Sequence, residues 1–166
     1  VLVLGTKTDG SPWRVAVQDP EDTGAYAGVL TLTDAFAVTS GGYQRYFEEN
    51  GVRYQHILDP KTGYPAESGL TSVTVVAAAN GPDYDSETPA PGSGAMCDAF
   101  STALFVLGEE KALDFWRTSG YDFELVLVTE DGRVLVTEGL ADRFEQTEGS
   151  AYRYELIPRA DEARPG

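Results

Sequence analysis

A chain of 166 residues is one domain by length, and its 42% hydrophobic and 23% charged content is that of a globular protein with a real core. With 27 acidic against 12 basic residues the net charge is −15, a field that repels polyanions, so nucleic acid and anionic membrane surfaces are excluded as expected partners. A single cysteine, Cys97, rules out an internal disulfide, and no apolar run approaches the roughly 20 residues that span a bilayer.

Residues 1–5, "VLVLG", form a continuous apolar run that reads as a buried strand entering a turn. A core strand in that position points to a fragment of a longer protein. Trp13–Gln18 alternates as a half-buried strand should, and Asp19-Pro20 stops it. Two β-type runs follow at about 29–33 and 35–39. In "YQRYFEENGVRYQHI", Asn50-Gly51 lies between aromatic, alternating segments and predicts a hairpin with positive φ at both turn residues. His56 falls near the end of its second strand. Residues 70–78 make another strand, and the Pro-, Gly- and acid-rich stretch 80–94 reads as a flexible loop. A helix pair over about 96–118 is broken at Gly108 and stopped at Gly120. A second hairpin runs through Asp131-Gly132, residues 151–158 give a last strand, and 159–166 a disordered tail. Strands outnumber helices and tight turns join neighbours, so the expected class is α+β with a mostly antiparallel sheet.

Three places have residues suited to chemistry. His56, the only histidine, precedes Asp59-Pro60 and Thr62-Gly63. It suits a general base or a phosphate donor, with the Thr62-Gly63 amides presented to an anion; on spacing alone, a structural histidine at a strand end weighs more. Asp98 and Thr102 are four apart and share one helix face, a carboxylate and a hydroxyl suited to a hard cation such as Mg²⁺. The plainer alternative is a helix N-cap. Ser40-Gly41-Gly42 offers a backbone-exposed bend where a ligand can approach, or simply a turn between strands.

Together these stretches closely resemble the ApbE family, the FAD:protein FMN transferases formerly called thiamine biosynthesis lipoproteins. The family patterns T-S-G-D-Y-x-R-Y-F, H-x-I-D-P-x-T-G-x-P and A-D-A-x-x-T-A-x-x-x-L-G find counterparts, in order, at 39–47, 56–65 and 97–108. The resemblance spans residues 1 to about 145 and implies the C-terminal portion of a transferase about twice this length. It implies Mg²⁺-dependent transfer of FMN from FAD to a threonine or serine of a target protein, with release of AMP. Asp98 and Thr102 would be metal ligands of this half. His56 would be the active-site histidine, contacting the pyrophosphate or assisting deprotonation of the acceptor. Ser40, Gly41, Asp59 and Thr62 would line the FAD site. The rival readings are a non-catalytic flavin-binding module and a Mg²⁺-dependent FAD pyrophosphatase. The chain departs from the pattern at Gly42, where the family has Asp, and in the length of the 80–94 loop. The family is commonly exported and acts on extracytoplasmic targets; membrane association would come only through an N-terminal part absent from this sequence.

Overall fold

The computed structural model describes residues 1–79 and 94–160. Strands β1 (Leu2–Val3), β2 (Trp13–Gln18), β3 (Tyr26–Leu32), β4 (Ala35–Gly41), β5 (Tyr46–Glu49), β6 (Val52–Gln55) and β7 (Leu70–Ala78) precede two helices, α1 (Gly94–Leu107) and α2 (Glu109–Thr118). Strands β8 (Glu124–Thr129), β9 (Arg133–Thr137), β10 (Phe144–Gln146) and β11 (Arg153–Ile157) follow. The class is α+β. A six-stranded sheet is ordered β1-β4-β7-β8-β9-β11, a three-stranded sheet β10-β3-β2, and β5-β6 stand as a separate hairpin. Among the described residues only β11 with β9 is parallel; the other strand pairings are antiparallel.

The six-stranded sheet is the middle of three layers. Side-chain alternation along its strands divides the apolar residues between two cores. Val73, Val75, Leu125, Leu127 and Leu135 pack with Leu104, Phe105, Leu113 and Trp116 of the helices. Val76, Val126, Val128, Val134 and Val136 pack with Val17, Leu30 and Leu32 of the small sheet. Both faces are covered, so "ELVLVT" and "RVLVT" are nearly continuously apolar. Trp116, fully buried, satisfies its indole N–H on the Phe123 carbonyl at 3.0 Å.

Helix boundaries match the expected pair, with α1 beginning at Gly94. Of the expected flexible loop, residues 80–93 lie outside the described residues, as do 161–166 of the expected tail. Arg159 in that tail is fastened instead: its guanidinium reaches Glu124 at 3.0 Å and lies 4.6 Å over the Trp116 ring. The Asn50-Gly51 turn has φ of 53° and 79°, as a type I′ hairpin requires.

Three features depart from the sequence reading. The opening run is not a buried strand: only Val3 is buried, while Val1, Leu2 and Leu4 are 70%, 40% and 54% exposed, because β1 is the short edge of the sheet. Neighbours β3 and β4 do not pair. Asp34, at φ 47°, turns the chain from the small sheet into the large one, holding the Gly5 amide at 2.7 Å on its carboxylate and the Ala79 amide at 2.7 Å on its carbonyl. Leu30 and Leu32 thereby face Ala35 and Ala37 across a core rather than along a ladder. Strand β10 had no alternation to announce it; it pairs with β3 through Phe144↔Leu30.

Candidate functional site

Strand β4 presents Phe36, Val38 and, by the same alternation, Ser40 to the helix layer. There Ser40 Oγ meets Ser101 Oγ at 2.8 Å and Thr102 Oγ1 at 2.9 Å, a contact between residues more than 60 positions apart. Proton counting orders this cluster, since each hydroxyl has one proton. Ser101 Oγ donates to the Asp98 carbonyl at 2.9 Å, and a carbonyl only accepts. Ser40 therefore donates to Ser101, and Thr102 donates to Ser40. The Thr102 proton points inward and its remaining lone-pair capacity points outward, on an exposed residue one helical turn from the exposed Asp98 carboxylate. Ser101, fully buried, is the member of this hydroxyl chain that is absent from the candidates named on sequence.

The 57–66 loop is closed at its base by the Ala66 amide on the Ile57 carbonyl at 3.0 Å and by a bridge between Leu58 and Pro65. Inside it Asp59 organises everything. Its carboxylate accepts the Lys61 amide at 2.8 Å, and its carbonyl accepts the amides of Thr62 at 3.2 Å and Gly63 at 2.8 Å. Thr62 Oγ1 takes the Tyr64 amide at 3.2 Å. The expected presentation of the Thr62-Gly63 amides to an anion is thus corrected: both are engaged within the turn, which Gly63 closes at φ 72°. His56 follows β6, and the Arg45 carbonyl lies 3.2 Å from its amide and 3.1 Å from its Nδ1. Because a carbonyl cannot donate, the proton of the neutral ring sits on Nδ1 and leaves the Nε2 lone pair available.

A pocket of about 780 Å³ adjoins this loop. Gly42, Gln55, Asp59, Thr62, Tyr54 and Tyr64 are among its walls. Its Pro20–Glu21 side is anchored by Tyr152, whose hydroxyl donates to Asp19 Oδ1 at 2.7 Å. Burial, followed by the Asp19 hydrogen bond, raises the Tyr152 phenol well above its usual range, so this donor stays protonated. Of the seven residues singled out in the sequence, Asp59 and Thr62 line the pocket, whereas Ser40 and Thr102 make direct contact with each other, beside Asp98. Gly41 lies between the two groups, buried against the Tyr43 ring and the Thr71 carbonyl. Of the two tyrosine walls, Tyr54 stacks on its cross-strand partner Phe47 with ring centroids 5.0 Å apart, and Tyr64 comes from the 57–66 loop itself.

The three-layer α+β domain thus has a directed hydroxyl chain next to the Asp98 residue at the junction of β4 and α1, and a pocket lined in part by the 57–66 loop that follows His56. Residues 1–127 match the ApbE family, and the chain belongs to that family. The FAD:protein FMN transferase of Haemophilus influenzae is 35% identical over 149 residues, covering 89% of this chain and 39% of that protein. The enzyme of the same name from Treponema pallidum is 40% identical over 133 residues, 79% of this chain and 32% of that one. Among solved structures, the ApbE protein of Thermotoga maritima superposes with a TM-score of 0.67 at 35% identity, over 86% of this chain and 41% of that one. The apo flavinyl transferase ApbE of Pseudomonas stutzeri gives 0.54 at 35% identity, over 86% and 36%. The chain therefore spans only 32% to 41% of the length of these four proteins.

Proposed function

We propose that this chain is the C-terminal portion of an FAD:protein FMN transferase, which moves FMN from FAD to a threonine or serine of a target protein and releases AMP. The observation that carries this reading is the Thr102–Ser40–Ser101 hydroxyl chain ending at the Asp98 carbonyl. It sets an outward-facing oxygen beside a carboxylate in a protein of −15 net charge, where an anionic substrate needs a cation. Among the described residues no group of three His, Cys, Asp or Glu side chains is placed to hold a metal ion. One carboxylate and one hydroxyl nevertheless suit Mg²⁺, which keeps several waters and takes its other ligands from phosphate. Asp98 and Thr102 would hold it, and when bound it supplies neutralisation of the pyrophosphate charge as the bond to the AMP portion breaks.

The chain's own residues then have separable tasks. Asp98 supplies negative charge and Thr102 a neutral oxygen whose orientation is fixed from behind. His56, with Nδ1 held by Arg45, directs its free Nε2 outward, which favours the general-base role: taking the proton of the acceptor hydroxyl as that oxygen attacks phosphorus. The pocket beside the 57–66 loop, with its tyrosine walls, would receive the uncharged ring portion of the ligand. Export, and a target outside the cytoplasm, belong to the same proposal. The test uses the full-length protein with FAD, Mg²⁺ and a target carrying an acceptor segment. Covalent flavin fluorescence on the target together with AMP is expected. AMP without labelling would make the protein a pyrophosphatase, and neither product a binding module.

A further inference from the structure

Gln55 reaches more of this region than any residue singled out in the sequence. It ends β6, immediately before His56, and its Nε2 donates to the Ala66 carbonyl at 2.7 Å, at the base of the 57–66 loop. The other end of the amide lies on Gly42. A Cβ placed on Gly42 would run into Gln55 Oε1 and stand 2.6 Å from its Cδ, so the amide occupies the volume that any side chain at 42 would need. Oε1 is buried and has no hydrogen-bond partner. Reversing the amide would set Oε1 against the Ala66 carbonyl, acceptor against acceptor, so the bond through Nε2 fixes the orientation. An unsatisfied buried acceptor is unfavourable, and it persists here because the Nε2 bond and the close seat on Gly42 hold the side chain in place.

We propose that Gln55 is a positioning residue that locks the 57–66 loop to the Gly41-Gly42 turn, and that glycine at 42 is what admits it. The amide joins two segments that the hydroxyl chain does not: the loop bearing Asp59 and Thr62, and the end of β4 bearing Ser40. Gln55, Gly42 and Ala66 all stand in the wall of the same pocket, so the lock sets the pocket's shape. Residues 42 and 55 are therefore one unit: a side chain at the first position displaces the side chain at the second. Only the ligand arm of the test rests on the functional reading above.

The full-length protein is compared with G42A, Q55A, Q55L and the double variant G42A/Q55A. Q55L keeps the bulk and loses only the bond to Ala66, which separates locking from packing. Amide hydrogen exchange across 58–66 should rise about tenfold in G42A, Q55A and Q55L with little change in exchange of β7 and β8. In the double variant the new methyl enters vacated space, so adding G42A to Q55A should have no further effect, a complete coupling in the mutant cycle. FAD affinity, read from flavin fluorescence, should fall about threefold to tenfold in each single variant and no further in the double. The proposal is overturned if G42A acts equally in both backgrounds, or if Q55A and Q55L leave the loop's exchange unchanged. Failure of the unsubstituted protein to bind FAD would instead overturn the functional reading, while the exchange arm still decides the lock.

Discussion

Replacing Ser101 with alanine removes both hydrogen bonds of a fully buried hydroxyl, the one donated to the Asp98 carbonyl and the one accepted from Ser40. Each such bond contributes about 1 kcal/mol net, and alanine returns about 0.5 kcal/mol of helix propensity. Ser40 is only half-buried and can rehydrate, so the fold should lose about 1 kcal/mol, or roughly 2–4 °C in Tm. The effect on the site should be different in kind. With no acceptor at 101, the Ser40 proton is free to turn to Thr102, which sends the Thr102 proton outward to where a cation needs a lone pair. Restoring the productive order then costs about 1.4 kcal/mol, a tenfold weaker metal affinity. The assay is Mn²⁺ binding followed by electron paramagnetic resonance, with Mg²⁺ competition, on full-length S101A and on S40A, which deprives Thr102 of its acceptor directly. Both should weaken binding to a similar extent. If S101A binds metal as tightly as the unsubstituted protein while T102V does not, Thr102 is not oriented by this chain and the proton ordering is wrong.

Asp98→Asn keeps the shape of an exposed side chain and removes its charge; stability should hold, and metal affinity should fall by more than the roughly 10–100-fold typical of losing an outer-shell partner. Unchanged Mn²⁺ binding would remove Asp98 from the site. His56→Ala should slow transfer by about 10²–10⁴-fold while FAD affinity changes far less; an equal loss of both would assign His56 to binding. Burial pushes the Cys97 thiol up to about 11, from an ordinary value of 9.0. The unfolded chain thus ionises first as pH rises, and stability is lost between about pH 9 and 11 as the thiol in U gives up its proton. The difference in urea midpoint between the native chain and C97A, followed from pH 8 upward, should shift against the native chain in that window; a flat difference would show that Cys97 is not held protonated by the fold.

What the sequence made legible here follows the range of the interactions concerned. The Asn50-Gly51 hairpin, the helix pair and the i, i+4 pairing of Asp98 with Thr102 are set by neighbours within a few residues, where turn chemistry and helical period act directly. The assignment of strands to sheets is not local: β3 and β4, separated by two residues, part company at Asp34 because their apolar faces pack against each other across a core. The same holds for the site. Helical spacing puts Asp98 and Thr102 on one face and lets Ser101 donate to the Asp98 carbonyl, but only β4 lying against α1 supplies Ser40, the acceptor that turns the Thr102 proton inward. Composition likewise says that the chain is acidic but not where the hydrogen-bond donors go. The amides of Thr62 and Gly63 were free by sequence and are engaged by Asp59 in the fold, so the loop cannot neutralise an anion through its backbone. Under the proposed function, neutralisation of an anion then falls to side-chain cations such as Lys61 of the loop or to a metal ion at Asp98 and Thr102.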